Sequence, residues 1–364
     1  MAREIVQERI ALDTIVQTAS TRAPLDPGVW RDLHSGGWLS VMIPEELGGG
    51  GATLGETASV LEAFGTGPVP GPLFETMSLV PAVLTSLGSA DALTILSTMA
   101  NGGLRTTVAA STLSTSGRDD LTLDLPGIEL RGGPVRVREL QDATHVMVQA
   151  RVVGGETDYA LIMIDKDALG VSVRPLEGLY QRQYAVTFDR VPLDAAHVVG
   201  LDDPTGTIVE RATTFALTHL CAFQVGSLAA VFDLALEYSK FRVVFGQPIS
   251  SYQRVQDHVI DCLSMLDSAR WTTNYAMASS AEDSMRLIDT LVAKAVCAES
   301  HFVACDGAHE VLAGAGVDLE SNLLPHTYLS RGLYDYFGSP GAQRRQIMTL
   351  LGQTMMGGEQ HVAR

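Results

Sequence analysis

Proline is missing from two long stretches of this chain, between Pro204 and Pro248 and between Pro248 and Pro325. Proline removes a backbone donor and clashes with the preceding turn, so its absence leaves room for unusually long helices. The apolar residues use that room. Val255, Val259, Cys262, Leu266 and Ala269 recur at steps of three and four, as do Leu291, Ala295, Ala298, Phe302 and Cys305. Stripes of this kind are the buried seams of packed antiparallel helices. Upstream the period changes. In Thr144–Val153, Val146, Val148, Ala150 and Val152 alternate with His145, Met147, Gln149 and Arg151, the two-residue period of a half-buried strand. Tyr159–Asp165, Val171–Pro175 and Tyr184–Val191 read as further strands. Residues 1 to about 104 read as helices broken by loops, among them Ile43–Gly51, with a helix over Leu54–Phe64. The expected organisation is α+β in three parts: helical 1–104, a small β-barrel or sandwich at 105–203, and a four-to-five-helix bundle at 204–364.

With 46% hydrophobic and 18% charged residues, the chain can bury a large core. A formal charge of −17 excludes wrapping nucleic acid or an anionic membrane surface by electrostatics. It leaves room for one phosphate group held by a few local arginines. Cys221, Cys262, Cys297 and Cys305 lie on predicted helices with no CxxC spacing and read as small buried side chains, so no metal site is expected. The N-terminal Met-Ala-Arg-Glu-Ile-Val-Gln-Glu-Arg has no apolar core and does not read as a signal peptide. No run approaches about 18 consecutive apolar residues, so no membrane span is expected and the location reads as cytoplasmic.

The most informative motif is Arg242-Val-Val-Phe245-Gly246-Gln-Pro-Ile-Ser-Ser-Tyr-Gln253. A guanidinium fork suits a pyrophosphate, and an aromatic ring offers a face or edge to a flat ring system. The segment resembles the Arg-x-x-Phe-Gly-x-x-Ile-x-x-x-Gln signature of the acyl-CoA dehydrogenases. Other landmarks follow in the order of that family. Ile43-Pro-Glu-Glu-Leu-Gly-Gly-Gly-Gly51 resembles its Pro-Glu-x-x-Gly-Gly loop, and Phe188-Asp-Arg-Val-Pro192 with Gly200 resembles the end of its β domain. Leu312-Ala-Gly314-Ala-Gly316, Glu320 and Arg331 resemble its Gly-Gly-x-Gly turn, acid and arginine. The resemblance implies the acyl-CoA dehydrogenase fold and an FAD shared at a subunit interface. It assigns contact with a neighbour's FAD to Arg242, Phe245, Gln253 and Gly314, and to Glu310, which stands where relatives carry glutamine.

The implied chemistry is α,β-desaturation of an acyl-CoA thioester. A carboxylate takes the α proton, and FAD takes the β hydrogen as hydride. Relatives place the base ten residues before a glycine equivalent to Gly226, or in a Tyr-Glu-Gly-Thr-like turn after the family's arginine. Here those positions count to Ala216 and Pro340, neither of which can accept a proton. Glu210, Asp335 and Glu320 read as solvated or helix-capping acids. The chain's own flavin cradle also departs from the family. Val108–Asp120 carries hydroxyls without the expected motif. Arg136 and Arg138 stand where relatives place a tryptophan and a hydroxyl, and they read as an exposed strand face beside a lost pocket.

Residues that would serve a neighbour's FAD persist, and those serving this chain's own are gone. That pattern resembles the base-less subunit of actinobacterial α2β2 acyl-CoA dehydrogenases of steroid side-chain breakdown. The resemblance implies as partners a homologous catalytic subunit, an acyl-CoA substrate and an electron-transfer flavoprotein. Two other readings stay open on the sequence: a self-sufficient homo-oligomeric dehydrogenase using Glu210 or Glu320, and a flavin-free scaffold on the same fold.

Overall fold

A computed structural model describes residues 12–113, 120–124, 127–154, 158–180, 182–193, 198–200, 205–279 and 283–362. The N-terminal segment read above for a leader lies outside them. The described residues divide into two compact units, 12–57 with 69–216 and 58–68 with 217–362.

The first unit contains α1 (Leu12–Ser20), α2 (Pro27–Ser35), a π-helical turn (Glu75–Leu79), α4 (Val80–Leu87) and α5 (Ala90–Ala100). Between them α3 (Leu54–Gly65) passes from this unit into the second. Pro27 opens α2, where its missing N–H would be unsatisfied anyway, and the Asp26 carboxylate accepts from the N–H of Gly28 at 2.5 Å. Ser89 caps α5, accepting from Ala92 N–H, while its hydroxyl donates to the carbonyl of Val199 at 2.7 Å.

Eight strands follow: β1 (Thr106–Val108), β2 (Leu121–Asp124), β3 (Glu129–Arg138), β4 (His145–Val153), β5 (Tyr159–Asp165), β6 (Val171–Pro175), β7 (Gln183–Pro192) and β8 (Val198–Gly200). They form one mixed sheet in the order β6-β7-β3-β2-β4-β5-β8, with β1 added in parallel to β4. The alternation in β4 holds: Val146, Val148, Ala150 and Val152 enter the sheet core with Ile162, Ile164 and Val186. The strand is not half-buried, however. Met147 and Gln149 on its other face are buried too, and the N–H of Gln149 donates to the Thr112 hydroxyl at 3.1 Å.

The second unit is the bundle: α6 (Thr205–Phe241, which enters it at Leu217), α7 (Gln253–Ala278), α8 (Asp283–Leu312), α9 (Leu323–Leu333) and α10 (Pro340–Val362). A hairpin of β9 (Val243–Val244) and β10 (Gln247–Pro248) links α6 to α7. The core joins Cys221, Val225 and Leu228 of α6 to Cys262, Leu266 and Ala269 of α7 and Ala293, Cys297 and Ala304 of α8. Among the described residues α6 is the one helix long and apolar enough to cross a membrane. Its apolar window is 78% buried within the fold, as befits a bundle core helix.

Two details of the bundle matter later. The first is the crossing of α3 and α6, so close that a Cβ at Gly226 would lie 1.9 Å from the carbonyl oxygen of Glu62. One at Gly65 would lie 2.0 Å from that of Phe223. The second is the Ser227 hydroxyl of α6, which sits 2.8 Å from Nε2 of His301 on α8 and 2.7 Å from Nδ1 of His326 on α9. Burial holds both imidazoles neutral, with pKa values pushed down to about 3.

Candidate functional site

Helix pairing collects the five predicted cofactor residues at one end of the bundle. Helices α7 and α8 run antiparallel: the Cys262 thiol lies 3.4 Å from the carbonyl of Ala304, and the Thr273 hydroxyl 3.2 Å from the sulfur of Cys297. Continuing that register sets Gln253, the first residue of α7, level with Gly314 in the 3-10 turn (Ala313–Gly316) that ends α8. Glu310 lies one turn inside. Arg242 follows the last turn of α6 at this same end. Its N–H donates to Tyr238, and its carbonyl accepts from Ile249 N–H at 2.8 Å. The hairpin is held against α7 by the Tyr252 hydroxyl, which donates to the carbonyl of Val244 at 3.0 Å.

All five residues are exposed. The two-residue loop of the hairpin is Phe245-Gly246, with φ of +52° and +81°, the all-positive pattern of a type I′ turn. Asparagine and glycine suit such a turn, and phenylalanine does not. Phe245 is nevertheless 94% exposed, so the strain secures no internal contact. The side chain of Arg242 has no partner among the described residues, whereas Arg182, Arg331 and Arg344 are all ion-paired.

These residues fit a dinucleotide-type cofactor. An unpaired guanidinium could take a pyrophosphate, a projecting ring could pack on a planar ring system, and the backbone at Gly314 has no atom within 4 Å of where a Cβ would stand. Arg242→Ala is therefore not expected to disturb the fold.

Neither position counted for the base offers a carboxylate. Ala216 is a buried residue of α6, and Pro340 opens α10. The turn before α10 reads Tyr336-Phe337-Gly338-Ser339, which matches the family's Tyr-Glu-Gly-Thr pattern with Phe337 in place of the acid. The matching position is thus Phe337, three residues before Pro340. Counting from Arg331 missed it, although the Tyr-x-Gly-Ser signal was present. Phe337 adopts φ of +59°, and the Gln343 amide donates to its carbonyl at 2.5 Å. Glu320 is exposed, and Glu210 and Asp335 are half-buried.

The reading of the β3 arginines as an exposed face holds for Arg136 and fails for Arg138. Arg138 is buried, with its guanidinium 4.9 Å from the Tyr180 ring centroid and 3.9 Å from Glu139. It joins an ionic cluster centred on Arg182, which is completely buried. Arg182 donates to Glu139 at 2.6 Å, to Asp142, and to the carbonyl of Ala23 at 2.5 Å. Asp142 also accepts from the N–H of Leu25 at 2.8 Å. Burial works to lower the pKa of Arg182, but Glu139 and Asp142 more than offset it. Burial pushes the Asp142 carboxyl up, against the pull of Arg182. This turn is filled by its own side chains. Residues 114–119 of the other cradle stretch lie outside the described residues.

The four cysteines are free and buried. Among the described residues no group of three or more His, Cys, Asp or Glu side chains is placed to hold a metal ion.

Known proteins share this fold. The N-terminal domain of the acyl-CoA dehydrogenases matches residues 1–102, and their C-terminal domain matches residues 207–351. Acyl-CoA dehydrogenase IpdE2 of Mycolicibacterium smegmatis is 26% identical over 354 residues, covering 95% of this chain and 97% of that protein. The crystal structure of the ChsE4-ChsE5 complex from Mycobacterium tuberculosis superposes with a TM-score of 0.80 at 25% identity, covering 96% of this chain and 97% of that one. A Tcur3481-Tcur3483 steroid ACAD variant superposes with a TM-score of 0.82 at 24% identity, over 98% and 96%. With both terminal domains matched and the family's landmarks in order along the chain, this protein belongs to the acyl-CoA dehydrogenase family.

Proposed function

We propose that this chain is the base-less subunit of a heteromeric, FAD-dependent acyl-CoA dehydrogenase. In this reading it completes the FAD site of a homologous catalytic partner at a shared subunit interface. The observation that carries the proposal is the contrast between two places. At the bundle end, Arg242 and Phe245 project into solvent, one unpaired and one strained, with no internal use. At both base positions and at the Arg138 turn, the acids and cradle residues are replaced by buried or apolar side chains. The ChsE4-ChsE5 complex, built from two named chains, supports a two-chain assembly by analogy.

The reaction is α,β-desaturation of an acyl-CoA, with a steroid side-chain CoA as the substrate class that the resemblance favours. An electron-transfer flavoprotein is the proposed acceptor, and the cytoplasm the proposed location. Arg242 would hold the pyrophosphate of the partner's FAD by its two-pronged guanidinium, Phe245 would pack against its rings, and Gln253, Glu310 and Gly314 would border it. When bound, FAD supplies hydride acceptance. The carboxylate that takes the α proton comes from the partner.

The test uses the co-purified complex. Arg242→Ala should weaken FAD retention roughly ten- to a hundredfold, the loss of one charge-assisted phosphate contact of about 1.5–3 kcal/mol. Arg242→Lys should recover only part, because an ammonium keeps the charge and loses the fork. Flavin fluorescence on release reads both. Equal retention in wild type and Arg242→Ala would sink the shared-site reading.

Phe245→Gly should separate stability from function. Glycine accepts the left-handed turn, so the isolated chain should gain about 1 kcal/mol in urea denaturation while the complex loses FAD. A variant that is destabilised, or that keeps its FAD, would show that Phe245 serves the fold.

A further inference from the structure

Strands β3, β7 and β6 lie side by side, and their register sets three residues in one row across them. Arg136 stands opposite Ala185, and Ala185 opposite Arg174. Their neighbours along the strands, Val135, Val137, Tyr184 and Val186, enter the sheet core. The row therefore lies on the outer face. Both arginines are exposed, and Ala185 between them leaves a low floor.

The adjoining rows carry donors as well. Ser172 pairs with Thr187 on one side, and Arg138 with Gln183 on the other. No carboxylate stands in these rows, in a chain with 42 acidic and 25 basic residues. The nearest acids are committed elsewhere. Glu177, just past β6, accepts from Arg22 at 3.2 Å, and Glu139, just past β3, accepts from Arg182 at 2.6 Å. Arg138 is likewise spent on Tyr180 and Glu139. Asp189 continues the same face of β7, roughly 13 Å along the strand from Ala185.

Two like charges on one face repel, and an anion between them relieves both. The spacing indicates which anion. Adjacent strands are about 4.8 Å apart, so the two arginines rise from points about 10 Å apart. Guanidiniums gripping one tetrahedral dianion from opposite sides, at hydrogen bonds of about 2.8 Å, stand roughly 8 Å apart. A slight inward lean above Ala185 closes the difference. A carboxylate offers two oxygens, which a single fork consumes. A phosphate monoester offers three strong acceptor oxygens, enough for both forks, with the Ser172 and Thr187 hydroxyls as further donors.

We propose that Arg136 and Arg174 form a phosphate-binding site above Ala185, for a phosphate dianion that is free or carried as a monoester on a small molecule. The site goes beyond the shared-cofactor reading and uses no residue of the Arg242 hairpin.

The experiment titrates inorganic phosphate, and separately adenosine monophosphate, with the full chain and follows the phosphorus NMR line width. The chain should broaden the signal, and sulfate should compete. Arg136→Ala and Arg174→Ala should each weaken binding at least tenfold, and Arg174→Lys should recover part of its loss. Ala185→Asp is the sharper variant. It plants a carboxylate where the dianion would sit, so it should abolish binding with both arginines in place and leave Tm unchanged or raised. Tighter binding of the monoester identifies an organic phosphate as the ligand, and equal or weaker binding identifies free phosphate. No broadening with either probe, or binding that persists in Ala185→Asp, would overturn the proposal. So would binding that Arg242→Ala removes and Arg136→Ala spares, since the hairpin would then be the anion site. If Arg242→Ala leaves FAD retention in the complex untouched while phosphate binding here holds, the shared cofactor site fails and this one stands.

Discussion

Gly226→Ala is expected to destabilise the protein by more than about 3 kcal/mol, the upper end of the cost of overpacking a rigid core. The added methyl would stand 1.9 Å from the backbone oxygen of Glu62, a contact that no rotamer change can relieve. One of the helices must move, and α6 is fixed from Cys221 to Ala235 by buried contacts to α7, α8 and α9. Gly65→Ala meets the oxygen of Phe223 from the other side at 2.0 Å and should behave alike. Gly55→Ala provides the control on the same α3 helix, because nothing lies within 4 Å of its Cβ position. It should be neutral or stabilising by up to about 1 kcal/mol. Denaturation midpoints of the three variants decide the matter. Equal midpoints would mean that the two helices yield at the crossing without cost.

Acid should unfold the bundle steeply. His301 and His326 titrate in the folded protein at about 3, and in the unfolded chain near the ordinary value of 6.5. Between those limits the unfolded state binds more protons, so stability falls as pH falls, beginning near 6.5 and continuing towards 3. Two histidines acting together give a slope of about 3 kcal/mol per pH unit, or about 4 kcal/mol lost by pH 5. The one hydroxyl proton of Ser227 serves one imidazole, and the other must donate to its oxygen. Protonating the accepting ring breaks its bond to Ser227, and protonating the donating ring places a charge on its far nitrogen in the buried interior. His326→Asn keeps a donor near the Nδ1 position and cannot titrate, so it should halve the slope. Urea denaturation from pH 7 to pH 5 measures it. A flat profile would place these rings in contact with water.

Whatever depends on one element's own periodicity was legible in the sequence. Proline-free runs with steps of three and four became α6, α7 and α8, and alternation located β4 to β7. The hairpin residues Arg242 and Phe245 stood out because they lie within one short motif. What escaped depends on pairs far apart in sequence. Nothing local marks Arg138, Glu139, Asp142 and Arg182 as buried, since Arg182 meets the two acids, and Tyr180 meets Arg138, from roughly 40 residues away. The second buried face of β4 was hidden for the same reason: alternation reveals the more apolar face, and Gln149 faces the other. The parallel strand β1, three residues long, is too short to carry a period. The glycines of the α3–α6 crossing look like any glycines until the opposite carbonyls are known.

The composition of α6 also governs how this protein must be made. Its apolar window would suit a lipid bilayer, and within the fold 78% of it is covered. Much of that cover comes from α7, α8 and α9, all of which leave the ribosome after it. Roughly 70 residues separate the end of α6 from the end of α8, which at ordinary synthesis rates is about 4–14 s of translation. For that interval the nascent chain displays a long greasy helix with nowhere to bury it. Shielding of this helix, for example by a holdase, therefore governs the yield of native protein as directly as final stability does.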